Sequence, residues 1–318
     1  MTSKPIQIQS WQLKAVILST VFATIGYLAF SVWGGWQEVT DAFVQIGLVG
    51  TLIALTLSLI NYGLRFWRWQ LYLSKLGHQL PWWTSLKIYL AGFALTTTPG
   101  KAGEAIRGLL LKQHGVSYPS SFAALLSERL SDLLAVVFLA LLGLSQYQDA
   151  QNIVLGSAAC VVLAMAVISN KRALDFSRRF TQNKSTRFFK LATHSIDILA
   201  QARQCYTFRL LFVSTGMSVI AWGSEALALY WVLEWLGADI SVTFAVFIYA
   251  VSMLAGALSF LPGGLGGAEA AMISLLVLKG MAMPQAIAAT VFIRLATLWF
   301  AVLIGLFALI SARKGVAS

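Results

Sequence analysis

The chain has 318 residues, of which 58% are hydrophobic and only 11% charged, and its mean hydropathy is +0.76. A soluble domain carries about 25% charged residues, so the composition excludes a soluble enzyme and a disordered chain. Apolar residues in long blocks, rather than in strict alternation, also argue against an outer-membrane barrel. The net charge of +11 sits between those blocks and reads as a topology signal, not as a nucleic-acid footprint.

The pattern predicts an all-α polytopic membrane protein, a single domain over 1–318 in the cytoplasmic (inner) membrane. Ala15–Trp33 is a retained first span, too long for a signal-peptide core and without a small-residue cleavage site. Ile46–Leu64 is the second. Trp82–Thr96 and Ala102–Leu111 flank the breaker Thr97-Thr98-Pro99-Gly100 and are each too short to cross about 30 Å, which predicts a re-entrant hairpin. Ser120–Leu144, Ile153–Ser169 and Leu210–Leu236 follow as spans. A second broken element comprises Phe244–Leu261, the PGGLGG run at 262–267 and Ala268–Leu278. A last span runs from Pro284 to about Ser311.

On this reading one side of the membrane receives Lys4, Lys14, Arg65, Arg68, Lys75, the basic residues of 171–209, Arg313 and Lys314. The other receives Glu38, Asp41, Asp149 and Asp239, with Lys279 as its single basic residue. The positive-inside rule then places both termini in the cytoplasm. The segment 170–209 predicts a basic amphipathic helix lying on the cytoplasmic surface, with Phe188, Leu191, Ala192, Ser195 and Leu199 on one face. Tryptophans such as Trp67, Trp69, Trp82 and Trp83 suit interfacial belts. His78, His114 and His194 show no triad or metal spacing, Cys160 and Cys205 predict no disulfide, and no cofactor is expected.

The sequence also repeats. GVSYPSSFAALLSERLSDL at 115–133 matches GMAMPQAIAATVFIRLATL at 280–298, with Gly115, Pro119, Arg129 and Leu133 falling on Gly280, Pro284, Arg294 and Leu298. Pro99-Gly100 meets Pro262-Gly263, and Gly63 and Leu76-Gly77 meet Gly223 and Leu236-Gly237. Repeat one covers 13–144 and repeat two 152–311, each three spans and a broken hairpin. The charge assignment starts them on opposite sides. Inverted repeats with broken helices are the architecture of many alternating-access transporters.

Nine ionisable residues fall within or beside apolar elements: Lys101, Glu104, Arg107, Glu128, Arg129, Asp132, Glu225, Glu269 and Arg294. At roughly 2.5–3.5 kcal/mol each when unpaired, they must pair or line water. Arg129 and Arg294 come to symmetry-related positions, each roughly 13 Å deep. Gly100 and Gly103 at one break, and Gly263, Gly264 and Gly266 at the other, leave backbone N–H groups at limb N-termini, where a carboxylate or phosphate binds. The alternative is structural: the charges are interhelical glue and the glycines permit close packing.

PGKAGEAIRG (99–108), SERLSDL (127–133) and PGGLGGAEAAM (262–272) resemble the flippase-like transmembrane family, named for the membrane half of lysylphosphatidylglycerol synthase, the bacterial multiple peptide resistance factor. The resemblance implies translocation of a polar-headed lipid between leaflets. Full-length synthases carry a soluble aminoacyl-transferase domain after the membrane part, whereas this sequence stops at Ser318, so lipid aminoacylation is not expected of it. Some relatives have a basic residue where this chain has Ala268, so their head-group preference does not carry over.

The expected function is therefore non-enzymatic flipping of a phosphate-bearing amphiphile. Lys101, Arg107, Arg129 and Arg294, with the glycine-rich limb ends, would hold the anionic head. Glu104, Glu128, Asp132, Glu225 and Glu269 would balance them or carry a coupling proton. The expected partners are membrane lipids with an anionic or polyprenyl-phosphate head, a second copy of the chain or lipid-biosynthesis enzymes, and no nucleic acid. Two other readings stand beside this one: a membrane glycosyltransferase acting on polyprenyl phosphate, though no D-x-D motif is present, and a non-transporting partner of a lipid synthase.

Overall fold

The computed structural model describes residues 35–97, 102–144, 151–182, 186–259 and 261–314. The predicted span at Ala15–Trp33, the breaker residues Thr98-Pro99-Gly100-Lys101, and the side chains of Gly103 and Glu104 lie outside the described residues, as do Asp149 and Lys184. The described residues are helical and form no strand. In chain order the helices are α1 (Trp36–Lys75), α2 (Trp82–Ala91), α3 (Ala102–Gln113), α4 (Tyr118–Gly143), α5 (Gln151–Ser169) and α6 (Lys171–Gln182). There follow α7 (Arg187–Ala202), α8 (Phe208–Trp235), α9 (Val242–Leu258), α10 (Gly267–Leu278), α11 (Met283–Arg294) and α12 (Phe300–Lys314). A 3-10 turn, Gly92–Leu95, extends α2, and a π-helical stretch, Leu295–Trp299, joins α11 to α12 without interruption.

Among the described residues, α1, α8 and the continuous Met283–Ser311 helix are long and apolar enough to cross a bilayer. With the short apolar α9 and α10 they form a multi-pass membrane protein. α4 has 26 residues, ample length for a span, but carries Glu128, Arg129 and Asp132. α5 turns by 70° into α6. The basic segment holds two helices, α6 and α7, packed on each other and linked by an Arg178–Asp197 ion pair; α7 is the helix expected around Phe188–Leu199. On α7, Phe188, Leu191 and Ser195 point outward, while Ala192 and Leu199 turn partly inward.

The helix stops explain the repeated glycines. α1 ends at Gly77 and α8 at Gly237, both with positive φ; behind them His78 N–H donates to the Leu73 carbonyl and Ala238 N–H to the Leu233 carbonyl. α3 and α10 end the same way at Gly115 and Gly280, with Val116 donating to Leu111 and Met281 to Leu276. Each is a Schellman stop, whose left-handed residue glycine adopts without a Cβ clash.

α1 and α8 pack together as antiparallel neighbours at the centre. Gly50 lies against Trp235, Ser224 Oγ donates to the Leu57 carbonyl (3.0 Å), Asn61 Nδ2 donates to the Ala221 carbonyl (2.8 Å), and Arg68 reaches Ser218. Around this pair α4 packs on α9, and α12 packs on α2 and its 3-10 extension. Both outer contacts are backbone-close. A Cβ on Gly143 of α4 would fall 2.8 Å from the Thr243 carbonyl oxygen of α9, and one on Gly305 of α12 would fall 2.3 Å from the Ala94 nitrogen. Small residues at such crossings supply the van der Waals contact that replaces hydrophobic driving force in lipid.

Two sequence readings change here. Arg65 and Arg68, expected in the loop beyond the second span, lie inside α1, which runs eleven residues past Leu64. The helix continues because Phe66, Trp69, Tyr72 and Leu73 keep burying one face of it. Trp69 is likewise a core residue, 1% exposed, whereas Trp67, Trp82 and Trp83 are exposed as expected.

The close approach at Gly305 generates a direct test. Gly305→Leu must push α12 off the Gly92–Leu95 turn and should lower stability by at least about 1–3 kcal/mol, the range for overpacking. Gly63→Leu, on a helix face with nothing within 4 Å of its Cβ position, should be nearly neutral. Thermal melting of the detergent-purified proteins, followed by tryptophan fluorescence, compares the two.

Candidate functional site: two buried charge clusters between the broken helices

The two broken elements meet. Gly263, with φ +63, sits about where a Cβ would touch the Thr96 carbonyl oxygen and the Thr97 methyl, each at 3.5 Å. Among the described residues the chain buries seven charged side chains, Arg68, Arg107, Glu128, Asp132, Glu225, Glu269 and Arg294, and partly buries an eighth, Arg65.

The first cluster is built from α1, α3 and α4. Arg65 and Arg68 are one turn apart on α1, so their guanidinium groups share a face. Asp132 takes both: Arg68 Nη1 donates to Oδ1 at 2.6 Å, and Arg65 Nη2 lies 3.3 Å from Oδ2. Trp222 Nε1 of α8 adds a third donor to Oδ1 at 2.9 Å. Arg107 of α3 pairs with Glu128 at 3.0 Å and is sandwiched by Trp69 and Tyr89, each ring centroid 4.8 Å away. Arg65 also lies over the Trp222 ring at 5.1 Å. This half holds three arginines and two carboxylates, and its donors are not all used. Arg65 Nε, Arg68 Nε and Arg68 Nη2 are buried and make no hydrogen bond among the described residues.

The second cluster is built from α8, α9, α10 and α11. Glu269, at the third position of α10, accepts the Gly266 N–H at 2.7 Å, and its other oxygen accepts Arg294 Nε at 2.6 Å. Arg294 Nη2 donates onward to the Gly263 carbonyl at 2.9 Å. The glycine-rich N-terminus of α10, expected to present backbone donors to an anionic head, is here capped by the chain's own carboxylate, with the helix dipole already answered. Glu225 of α8 accepts a hydrogen bond from the Tyr249 hydroxyl of α9. This half holds one arginine and two carboxylates.

The predicted residues therefore divide. Arg107, Glu128, Asp132, Glu225, Glu269 and Arg294 are all buried, and Arg294 and Glu269 bond directly to the second break at Gly263 and Gly266. Gly263, Gly264 and Gly266 form the second break, each with positive φ. Arg129 is exposed on α4 where Arg294, at the same register, is buried, so the two arginines do not have equivalent surroundings. Gly103 and Glu104 lie on α3, their side chains undescribed; Lys101 and Gly100 lie outside the described residues. Sequence reasoning missed Arg65, Arg68, Asn61, Trp222 and Tyr249. The available signal was the run LRFWRWQLYL, whose aromatic and aliphatic residues continue the helix and carry two arginines three apart into the core.

The hub makes a prediction. Asp132→Ala leaves Arg65 and Arg68 buried without their carboxylate, a loss of about 3–5 kcal/mol. The variant should lose most of its folded yield and melt well below the wild type. Asp132→Asn, which keeps an acceptor for Arg68 and Trp222, should fall between them, as read by size-exclusion profiles and melting curves.

Comparison with known proteins places this geometry in a family. The chain is similar to UPF0104 membrane proteins of archaea. It is 22% identical to one from Pyrococcus horikoshii, over 90% of this chain and 94% of that protein. It is 25% identical to one from Methanothermobacter thermautotrophicus (83% and 86%) and 26% identical to one from Methanocaldococcus jannaschii (67% and 91%). The profile described as the lysylphosphatidylglycerol synthase TM region matches residues 13–305, nearly the whole chain, and the protein belongs to that family.

Proposed function

We propose that this protein is a non-enzymatic translocase that carries a phosphate-bearing amphiphilic lipid between the leaflets of the cytoplasmic membrane. Family membership supports a role connected with membrane lipids. The observation that carries the finer reading is the first cluster: two buried arginines and a third partly buried one facing two carboxylates, with three guanidinium nitrogens unfilled among the described residues. A buried N–H without an acceptor costs about 1–3 kcal/mol, and a phosphate oxygen is the acceptor that a guanidinium fork suits best. Arg65 and Arg68 are thus the head-group ligands in this reading, with Arg107 held in reserve by Glu128.

Alternating access needs two states of similar energy, and inverted repeats supply them by exchanging the conformations of the two halves. Several contacts favour that arrangement. α1 and α8, equivalent in the sequence repeat, run antiparallel. Tyr62 donates to the Thr297 carbonyl, and its counterpart Trp222 donates to Asp132, the residue at the register of Thr297. The α4–α9 packing is matched by α12 against α2. In this proposal both broken elements are re-entrant, and both termini and the α6–α7 pair face the cytoplasm. The exposed Phe176, Phe180, Phe188 and Leu191 of that pair lie among basic residues suited to an anionic leaflet.

Two measurements test the proposal. Proteoliposomes holding a fluorescent phosphatidylglycerol analogue report translocation through quenching by an impermeant reductant. Wild type should accelerate quenching of the inner-leaflet probe. Arg68→Lys, which keeps the charge but loses the spare fork donors, should slow it about ten- to a hundredfold with little change in melting, as expected for a lost charge-assisted hydrogen bond of about 1.5–3 kcal/mol. Equal rates with and without protein would overturn the reading. Orientation is read by impermeant thiol labelling in a background lacking Cys160 and Cys205. Asp41→Cys should label from outside, and Lys190→Cys only after permeabilisation.

A further inference from the structure

The two clusters carry opposite net charge. The first holds Arg65, Arg68 and Arg107 against Glu128 and Asp132, an excess of one positive; the second holds Arg294 against Glu225 and Glu269, an excess of one negative. Glu128, Asp132 and Glu269 are each in a close ion pair. Glu225 is the buried carboxylate that makes none among the described residues. It is 4% exposed, and its hydrogen-bond partner is the hydroxyl of Tyr249, itself 1% exposed. In the sequence repeat Glu225 stands at the register of Arg65, each ten residues before the end of its helix, so the halves differ here by a reversal of charge.

We propose that Glu225 is a proton-binding site, and that one proton taken up there accompanies each anionic lipid head. The inference rests on the translocation reading above and adds its coupling ion. Without ligand these eight described charges sum to zero. A singly anionic phosphate at Arg65 and Arg68 would leave them with one uncompensated negative charge in a medium where such a charge is costly. Of the carboxylates described, Glu128, Asp132 and Glu269 would each have to give up an arginine to take a proton, whereas Glu225 can accept one without breaking a salt bridge. The chemistry is a single transfer: hydronium gives its proton to the Glu225 carboxylate, leaving water and a neutral acid.

The local contacts permit that change. Tyr249 donates to the carboxylate; once Glu225 is protonated its O–H can donate and the phenol oxygen can accept, so the hydrogen bond survives reversed. The groups that act on Glu225 come from each helix packed around it: Tyr62 and Arg65 on α1, Asp132 on α4, Tyr249 on α9 and Arg294 on α11. Arg65 couples the two sites directly. It pairs with Asp132 and acts on Glu225 through space, and an arriving phosphate that draws on its charge leaves less to stabilise the Glu225 anion. Lipid and proton then bind with positive cooperativity.

The experiment pairs a transport readout with a spectroscopic one on the full-length protein. Translocation of a fluorescent phosphatidylglycerol in proteoliposomes should rise about tenfold between about pH 8 and about pH 6. A phosphatidylcholine probe, whose head brings no net charge, should show no such slope. Glu225→Gln, a neutral mimic of the acid form, should remove the slope. Infrared difference spectra in lipid nanodiscs should show a protonated-carboxyl band growing as pH falls, present in wild type and Tyr249→Phe but missing from Glu225→Gln. The proposal is overturned if Glu225→Gln keeps the wild-type slope, or if the band persists in that variant. Wild-type translocation that is indifferent to pH would also overturn it while leaving the translocase reading intact. A titrating Glu225 band with no translocation in any sample would sustain the proton site and sink the translocase reading instead.

Discussion

Asp132 holds two guanidinium groups and an indole N–H inside an apolar bundle, and most of the architecture serves to keep it there. Arginines at Arg65 and Arg68 can continue α1 through the core only because a carboxylate meets them from α4, and α4 can carry that carboxylate only because the arginines are present. Either alone would be a buried charge costing several kcal/mol, more than a marginally stable fold tolerates. The same reciprocity ties Arg107 to Glu128 and Arg294 to Glu269. The bundle is therefore cross-linked at its centre by ion pairs between different helices, while its outside is left to aliphatic side chains suited to lipid.

A sequence repeat that carries unequal charge is the second organising feature. The same stops, the same broken elements and the same aromatic bridge between Tyr62–Thr297 and Trp222–Asp132 recur in both halves. The charges do not recur. Arg65 stands where Glu225 stands, and Arg294 is buried where Arg129 is exposed. Here one half offers unfilled cationic donors, and the other offers an unpaired acid beside a phenol.

The glycines support this arrangement in two different ways. At Gly143 and Gly305 they let helices approach until backbone meets backbone, which fixes α4 on α9 and α12 on α2. At Gly263, Gly264 and Gly266 they permit the positive φ values that turn the chain back on itself, and Glu269 then closes the exposed end of α10. What reads in the sequence as an anion-binding glycine run is, in this state, a clasp satisfied by the protein's own side chains.

Sequence alone settles the all-helical membrane class of the molecule and the position of its second break, because each depends on local properties. Runs of apolar residues, positive-φ glycines and prolines act over a few residues, and the match between 115–133 and 280–298 is visible without coordinates. It also identifies Arg107, Glu128, Asp132, Glu225, Glu269 and Arg294 as belonging together, since ionised groups in apolar helices must find one another. Pairing was another matter. Arg65 and Arg68 follow an apolar block, and in sequence they are indistinguishable from cytoplasmic anchors; only the packing of α1 against α4 and α8 draws them into the core. Arg129 and Arg294 share a register, yet neighbouring helices bury one and expose the other. Which carboxylate is left without an arginine is likewise a property of three-dimensional packing, because charge balance fixes only the total. Local chemistry determined which groups had to be neutralised, and the tertiary structure decided by whom.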